Sequence, residues 1–356
     1  MFQNDSNINL AILGATGNVG RKFLEVLEKR NFPFASLKLL ASKKSVGNKI
    51  KFKEKEYTVK LADKNSFKGI DLVLASAGGT ISKELVPFAV KSGAVVIDNS
   101  SAYRMDKDVP LVVAGINNDD LKKHKGIIAN PNCTTAQLVI PLKVLHNLAG
   151  LKRVIVSTYQ SVSGAGKSAM DELTEQTKES LGRDVACNIS TGNISYASKA
   201  VNRKFAFNVV PHIDLFAEDG YTKEEIKVIN ESRKILGLPN LRITCTAVRV
   251  PVYIGHSESV NVELEKSVTR NEIISALKNF GDIEIFDDPK DSKYPMPIDI
   301  AGKDPVYVGR IREDKSNPNT YNIWVVADNL RIGAALNAVK IAEIIVKDSL
   351  LLSKHS

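Results

Sequence analysis

Cysteine is scarce. Cys133, Cys187 and Cys245 are the only thiols in 356 residues, and none stands at a spacing that suits a metal. An odd number implies no disulfide framework, and no metal site is expected. Long apolar runs are missing as well. No stretch approaches the length of a membrane span, and the N-terminus shows no signal-peptide pattern. No internal repeat or low-complexity segment occurs. The basic residues are scattered rather than gathered in a run interleaved with aromatics, so no nucleic-acid partner is expected. These absences leave a cytoplasmic enzyme or binding protein. Its 43% hydrophobic and 25% charged residues are ordinary for a globular chain long enough for two domains.

The formal net charge is +9. The positive residues are scattered, densest at Lys43, Lys44, Lys49, Lys51, Lys53 and Lys55, with Glu54 and Glu56 among them. A diffuse positive field fits a multiply anionic small ligand, although surface lysines also serve solubility.

The most informative stretch is Asn130-Pro131-Asn132-Cys133-Thr134-Thr135. It follows an apolar run over residues 126–129, read as a buried strand, and precedes a helical pattern from Ala136 through Leu148. A cysteine between a strand end and a helix start meets unsatisfied N–H groups and the positive end of the helix dipole. Both favour a thiolate over a thiol. On local grounds Cys133 is either a nucleophile or a small buried hydrophobe.

Upstream, a strand over residues 9–13 runs straight into Gly14-Ala15-Thr16-Gly17-Asn18-Val19-Gly20. A helix follows, with Phe23, Leu24, Val26 and Leu27 on its apolar side. Strand, glycine turn and helix form the setting of a dinucleotide-binding fingerprint, here spaced G-x-x-G-x-x-G. Glycines let backbone approach a pyrophosphate, and the helix N-terminus stabilises its charge. The second strand, residues 37–41, ends in Ser42-Lys43-Lys44-Ser45. An NAD-preferring fold carries an acidic residue there. Hydroxyls and ammonium groups suit a 2′-phosphate, which favours NADP. Residues 49–61 read as an exposed hairpin. A buried strand over 71–76, a helix over 81–92 and a strand from Ala94 come next, with Arg104 just beyond. Arg104 is placed either to reach an anion or to sit on the surface. Leu111-Val112-Val113 reads as one more strand. This alternation is a doubly wound α/β pattern.

Beyond Cys133 the character changes. A strand over 154–160 ends in Ser161-Val162-Ser163-Gly164-Ala165-Gly166, a turn that admits a ligand or merely reverses the chain. Residues 185–220 read as irregular. Thr222 and Glu225 form a capping box, and Glu224 and Lys227 share one face of the helix it opens, as a surface ion pair would. Two strands follow, 242–252 and 257–265. Alternation puts Arg249 beside Cys245 and Ala247, and His256 beside Val260, Val262 and Leu264. A buried arginine demands an anionic partner, and the histidine is either a core residue or a catalyst. Thr269 to Glu272 opens another helix, residues 281–304 are turn-rich, 321–327 is a strand, and a last helix starts near Arg331.

These separated motifs, with Arg249-Val250-Pro251-Val252 and Gly333-Ala334-Ala335-Leu336-Asn337-Ala338, together resemble aspartate-semialdehyde dehydrogenases over essentially the whole chain. The resemblance implies an α/β protein: a Rossmann-type NADP-binding domain over residues 1–132, joined by a C-terminal helix over 331–356, and an α+β catalytic and dimerisation domain over 133–330. It implies that NADPH reduces L-4-aspartyl phosphate to L-aspartate 4-semialdehyde and phosphate, in a homodimer or a homotetramer. Cys133 matches the thiol nucleophile, His256 the general acid/base and Gln160 the glutamine that positions substrate. Arg249 matches the residue on the substrate carboxylate and Glu224 the one on its amine. Arg104, Lys227 and Asn132 match the phosphate site. Gly14, Thr16, Gly17, Asn18, Val19, Gly20, Ser42, Lys44, Ser45, Ser163, Gly164 and Asn337 match positions around NADP(H). Thr134 replaces the family's usual serine and keeps the hydroxyl. Lys44 stands where relatives often carry arginine, and so loses the fork geometry. An N-acetyl-glutamyl-phosphate reductase shares the design, but its acylated amine has no use for Glu224. A non-catalytic NADP-binding paralogue, or a redox sensor using Cys133, would not need Cys133, Gln160, Arg249 and His256 together.

Overall fold

The computed structural model describes residues 8–181 and 204–352. Cys187 and the first part of the stretch read as irregular lie outside the described residues. The chain divides into two units. One holds Met1–Lys143, Asn230–Asn240 and Leu330–Ser356; the other holds Val144–Ile229 and Leu241–Asn329. The first unit therefore runs past the boundary expected at residue 132, and it takes in residues 230–240, which no local signal marks.

The strands, in chain order, are β1 (Asn9–Leu13), β2 (Ser36–Ala41), β3 (Lys49–Phe52), β4 (Lys55–Thr58), β5 (Lys60–Leu61), β6 (Leu72–Ala75), β7 (Val95–Asp98), β8 (Ile127–Ala129), β9 (Leu151–Gln160), β10 (Arg242–Arg249), β11 (His256–Leu264), β12 (Ile283–Ile285), β13 (Val306–Glu313) and β14 (Thr320–Ala327). The helices are α1 (Asn18–Lys29), α2 (Gly79–Lys91), α3 (Cys133–Ala149), α4 (Lys167–Ser180), α5 (Lys223–Leu236), α6 (Arg270–Lys278) and α7 (Leu336–Lys347), with a single turn at Pro297–Ile300.

The first unit is built on a parallel sheet of order β5-β2-β1-β6-β7-β8. Its central strands are continuous apolar runs, as a sheet covered on both faces requires: Leu10–Leu13, Leu72–Ala75 and Val95–Ile97 are all buried. From β1 the chain steps outward through β2 and β5, then returns to the other side of β1 at β6. The switch point of a dinucleotide-binding fold is the gap between β1 and β6. α1 buries the expected side, Phe23, Leu24, Val26 and Leu27. Each such side chain contributes about 1.5–3 kcal/mol on burial. α7 packs on α1, β6 and β7, and Arg30 of the α1 C-cap grips Glu343 through two bonds of 2.7 Å. β3 and β4 form a hairpin over 49–58, shorter than the exposed one expected over 49–61: residues 60–61 leave it as β5 and pair with β2, and Ile50 and Phe52 are buried.

Leu111-Val112-Val113 is not a strand. Only Leu111 bridges to β8, because side chains take the backbone groups a ladder would use. Asn337 Nδ2 donates to the Val112 carbonyl, and Asn117 Oδ1 accepts from the Val113 N–H.

The second unit holds a mixed sheet, β10-β9-β11-β14-β13-β12. β10 pairs with β9, and β12 with β13, in parallel; the central pairs are antiparallel. β10 and β11 alternate as read, with Cys245, Ala247 and Arg249 buried on one side of β10. Two elements give no clear signal. α4 turns Glu172, Gln176 and Ser180 inward with Ala169 and Leu173, so its apolar period is broken. β13 is interrupted by Gly309 and a register shift before Arg312.

Candidate active site

At the carboxyl ends of β1, β2 and β6 lies a cleft of about 570 Å³. Gly14, Thr16 and Gly17 line it from the first turn, Ser42 from the second and Ser76 and Ala77 from the third. Gly14 has φ +88°, and a Cβ there would lie 2.3 Å from the Ser76 carbonyl oxygen, so only glycine fits. Gly17 precedes α1 and offers no capping side chain, and a helix N-terminus favours an anion. Asn18, Val19 and Gly20 form the first turn of α1. Lys44 and Ser45 sit on a short turn after Ser42, and Ser45 Oγ meets Thr16 Oγ1 at 3.1 Å. The acid missing after β2 arrives from elsewhere. Asp63, after β5, lines the cleft, but its Oδ1 is engaged by the Asn65 N–H and the Ser66 hydroxyl. Asp63, Lys64, Asn65 and Glu84 carried no recognisable local motif. The cleft fits a dinucleotide.

Cys133 is the first residue of α3, three residues earlier than the apolar pattern indicates. The reason is Asn132, whose Oδ1 accepts from the Thr134 N–H at 2.9 Å and the Thr135 N–H at 3.3 Å. Cys133 is half-buried. Gly333, in a π-helical turn over Arg331–Ala335, presses against it: a Cβ at 333 would lie 2.6 Å from the Cys133 Cβ. Arg104 is buried beside this helix start and is no surface residue. Its Nε donates to the Asn130 carbonyl at 2.9 Å, its Nη2 to the Asn99 carbonyl at 2.7 Å and its Nη1 to Glu231 at 3.0 Å. Asn337 does not line the cleft. It is fully buried, accepts from the Ala114 N–H and donates to Val112 and Asn130, so it scaffolds the stretch before Cys133.

In the second unit, the strand ends bring the remaining residues together. Gln160 and Arg249 are register partners at the ends of β9 and β10, and His256 begins β11. Gln160 Nε2 donates to Glu224 Oε1 at 3.2 Å, and Glu224 Oε2 accepts from Lys227 at 3.3 Å. Lys227 also donates to Asp214 at 2.6 Å. Burial pulls the Lys227 pKa down, but the Glu224 and Asp214 carboxylates outweigh it and hold the ammonium above its ordinary value. Glu224 is buried, so the pair is no exposed surface bridge.

His256 is completely buried. Its Nδ1 accepts from the Ser161 N–H at 3.0 Å, so the neutral ring carries its proton on Nε2. Burial, reinforced by the Arg249 charge, holds it well below the usual histidine range. Gly164 faces both groups: a Cβ there would lie 3.2 Å from Arg249 Nη1 and 3.3 Å from His256 Nε2. Arg249 Nη1 donates to the Ser161 carbonyl at 2.7 Å. Asn329 Oδ1 gathers the Ser161 and Ser163 hydroxyls and the Gly255 N–H, which braces the histidine from behind. Among the described residues no group of three or more His, Cys, Asp or Glu side chains is arranged to hold a metal.

Residues 9–124 match the family model described as semialdehyde dehydrogenase, NAD binding domain, and residues 142–332 match semialdehyde dehydrogenase, dimerisation domain. An aspartate-semialdehyde dehydrogenase of Aquifex aeolicus is 53% identical over 345 residues, covering 96% of this chain and 99% of that one. The chain belongs to the aspartate-semialdehyde dehydrogenase family. The Bacillus subtilis aspartate-semialdehyde dehydrogenase is 47% identical over 97% of this chain and 99% of that one. Among solved structures, aspartate semialdehyde dehydrogenase II of Vibrio cholerae complexed with ASA superposes with a TM-score of 0.90 at 41% identity, covering 97% of this chain and 99% of that one. The Candida albicans aspartate semialdehyde dehydrogenase with NADP reaches 0.75 at 25% identity, covering 96% and 100%. The aspartate-semialdehyde dehydrogenase family thus accounts for both halves of the architecture: a parallel nucleotide-binding sheet and a separate mixed sheet.

Proposed function

We propose that the chain catalyses the NADPH-dependent reductive dephosphorylation of L-4-aspartyl phosphate to L-aspartate 4-semialdehyde, a step toward lysine and diaminopimelate, threonine and methionine. The observation that carries this reading is the placement of Cys133 as the first residue of α3, behind the Asn132 cap. A thiol there has the positive end of the helix dipole to stabilise its thiolate.

The Cys133 thiolate attacks the acyl carbon, and phosphate leaves with the electron pair of the broken C–O bond. Arg104, Lys227 and Asn132 hold the departing phosphate. The product of this step is a thioester on Cys133, which splits one difficult displacement into two easier steps. Arg249 holds the substrate carboxylate, a fork-shaped donor for a two-oxygen acceptor, and Glu224 meets the amine. Gln160, tied to Glu224, orients the acyl group. Gly14, Thr16, Gly17, Asn18, Val19, Gly20, Ser42, Lys44, Ser45, Ser163 and Gly164 hold NADP(H). When bound, NADPH supplies the hydride that reduces the thioester. His256 Nε2–H hydrogen-bonds the oxygen that becomes anionic at the tetrahedral carbon, and it manages the proton as thiolate and aldehyde separate. The working form is a homodimer, or a pair of dimers, in the cytoplasm. This follows the family resemblance and the match to the dimerisation-domain model.

The test is stoichiometric NADPH consumption with aspartyl phosphate set against N-acetyl-glutamyl phosphate. Turnover with the first alone is expected. Preference for the second would transfer the chain to the acetylated-substrate reductases.

A further inference from the structure

One carboxylate beside the thiol belongs to none of the roles above. Glu231 is 1% exposed, four residues beyond Lys227 on α5. Its Oε1 accepts from Arg104 Nη1 at 3.0 Å, and its Oε2 accepts from the Asn132 N–H at 2.6 Å. Asn132 is the cap of the Cys133 helix, and Arg104 is tied by its other nitrogens to the Asn130 and Asn99 carbonyls. Asn130 and Asn99 are in turn joined side chain to side chain at 2.7 Å. Three residues after Glu231, Lys234 donates to the carbonyls of Arg104, Asp106 and Val109 at 2.8–2.9 Å. One turn of α5 thus grips both the loop that carries Arg104 and the residue that caps Cys133.

A buried ion pair is a weak source of stability compared with apolar residues of the same volume. A negative charge beside Arg104 also opposes anion binding. Neither stability nor ligand charge explains Glu231; geometry does. Both its oxygens accept, from donors on two different loops. Glutamine has one acceptor and would set an N–H against a donor; aspartate keeps both oxygens but is one methylene shorter.

We propose that Glu231 is a positioning residue: it locks the Arg104 guanidinium and the Asn132 peptide into one arrangement, so that the phosphate donors and the first turn beneath Cys133 share a single register. The inference rests on the reaction proposed above.

The test runs the full-length enzyme in the oxidative direction, with semialdehyde, NADP and inorganic phosphate, for wild type, Glu231→Gln and Glu231→Asp. NADP binding and melting are followed in parallel. Inactive wild type overturns the reaction and this inference with it. With active wild type, both variants are expected to lose about 10-fold or more in kcat, since small misplacements of reacting groups are costly. The KM for phosphate is expected to change, while the KM for semialdehyde and the NADP affinity stay within about two-fold. In an Arg104→Met background, Glu231→Gln is expected to add less than about two-fold, because the two groups act as a unit. Should Glu231→Gln fail to fold, Glu231→Asp decides. A folded variant that keeps kcat and the phosphate KM within two-fold of wild type overturns the proposal. So does a fall in semialdehyde, phosphate and NADP affinity alike, which marks a general structural role.

Discussion

The surroundings of Cys133 and of His256 solve one problem in opposite ways. Around Cys133 the fixed points are charged: Glu231 and Arg104 face each other in a buried pair, and the Asn99–Asn130–Asn337 chain continues the network. Around His256 they are mostly neutral: the Ser161 N–H, two serine hydroxyls and the Asn329 amide. The Arg249 charge nearby disfavours the imidazolium. The proposed nucleophile stands at a helix start gripped by an ion pair. The proposed proton handler is fully buried among neutral dipoles. The surroundings of His256 favour its neutral ring.

Replacing the groups themselves breaks this contrast most sharply. Cys133→Ser is expected to lower turnover about 10³-fold or more while leaving the fold and NADP binding intact. Full activity in that variant rules out the thioester. His256→Gln is expected to lose about 10²–10⁴-fold in kcat, the range for a lost acid/base group. A loss confined to KM would make His256 a binding residue only. Arg249→Lys keeps the charge but not the fork, and about a ten-fold loss in semialdehyde affinity is expected, with NADP affinity unchanged. Unaltered kinetics in that variant remove Arg249 from the carboxylate. Gly333→Ala probes the Cys133 side by packing: a Cβ 2.6 Å from Cys133 must displace the helix start, at about 1–3 kcal/mol. A variant with wild-type kcat and melting would show that the π turn yields freely.

The smallest effect tests the His256 side through pH. In the unfolded chain a histidine titrates near about pH 6.5; in the fold His256 titrates well below that. As pH falls through this window the unfolded state takes up a proton that the folded state refuses, so stability declines toward acid. Wild-type melting temperature is expected to fall more steeply than that of His256→Gln between about pH 7.5 and 5.5. Parallel slopes would mean that His256 takes up its proton over the same pH range in the fold as in the unfolded chain.

Much of this was legible because it is local. The strand–glycine–helix run at residues 9–29, the alternation that buries Arg249 and His256, and the two capping boxes each occupy one short window, and each formed as read. What was not legible depends on distant partners. Glu231 looks like one more charge on a polar helix, and its partners Arg104 and Asn132 lie 127 and 99 residues away. Asn337 resembles a cofactor contact until its bonds to Val112, Ala114 and Asn130 are seen. Leu111-Val112-Val113 has strand propensity, yet Asn117 and Asn337 claim its backbone. The early start of α3 hides behind two β-branched threonines, which a single cap at Asn132 overrides.

The claim on which the account turns is that Cys133 becomes acylated. Incubating the enzyme with aspartyl phosphate without NADPH, quenching in acid and mapping peptides by mass spectrometry tests it directly. An aspartyl adduct is expected on the Cys133 peptide, absent from Cys133→Ser and discharged when NADPH is added before the quench. An unmodified Cys133 peptide in enzyme shown to turn over, or an adduct on another residue, would contradict it.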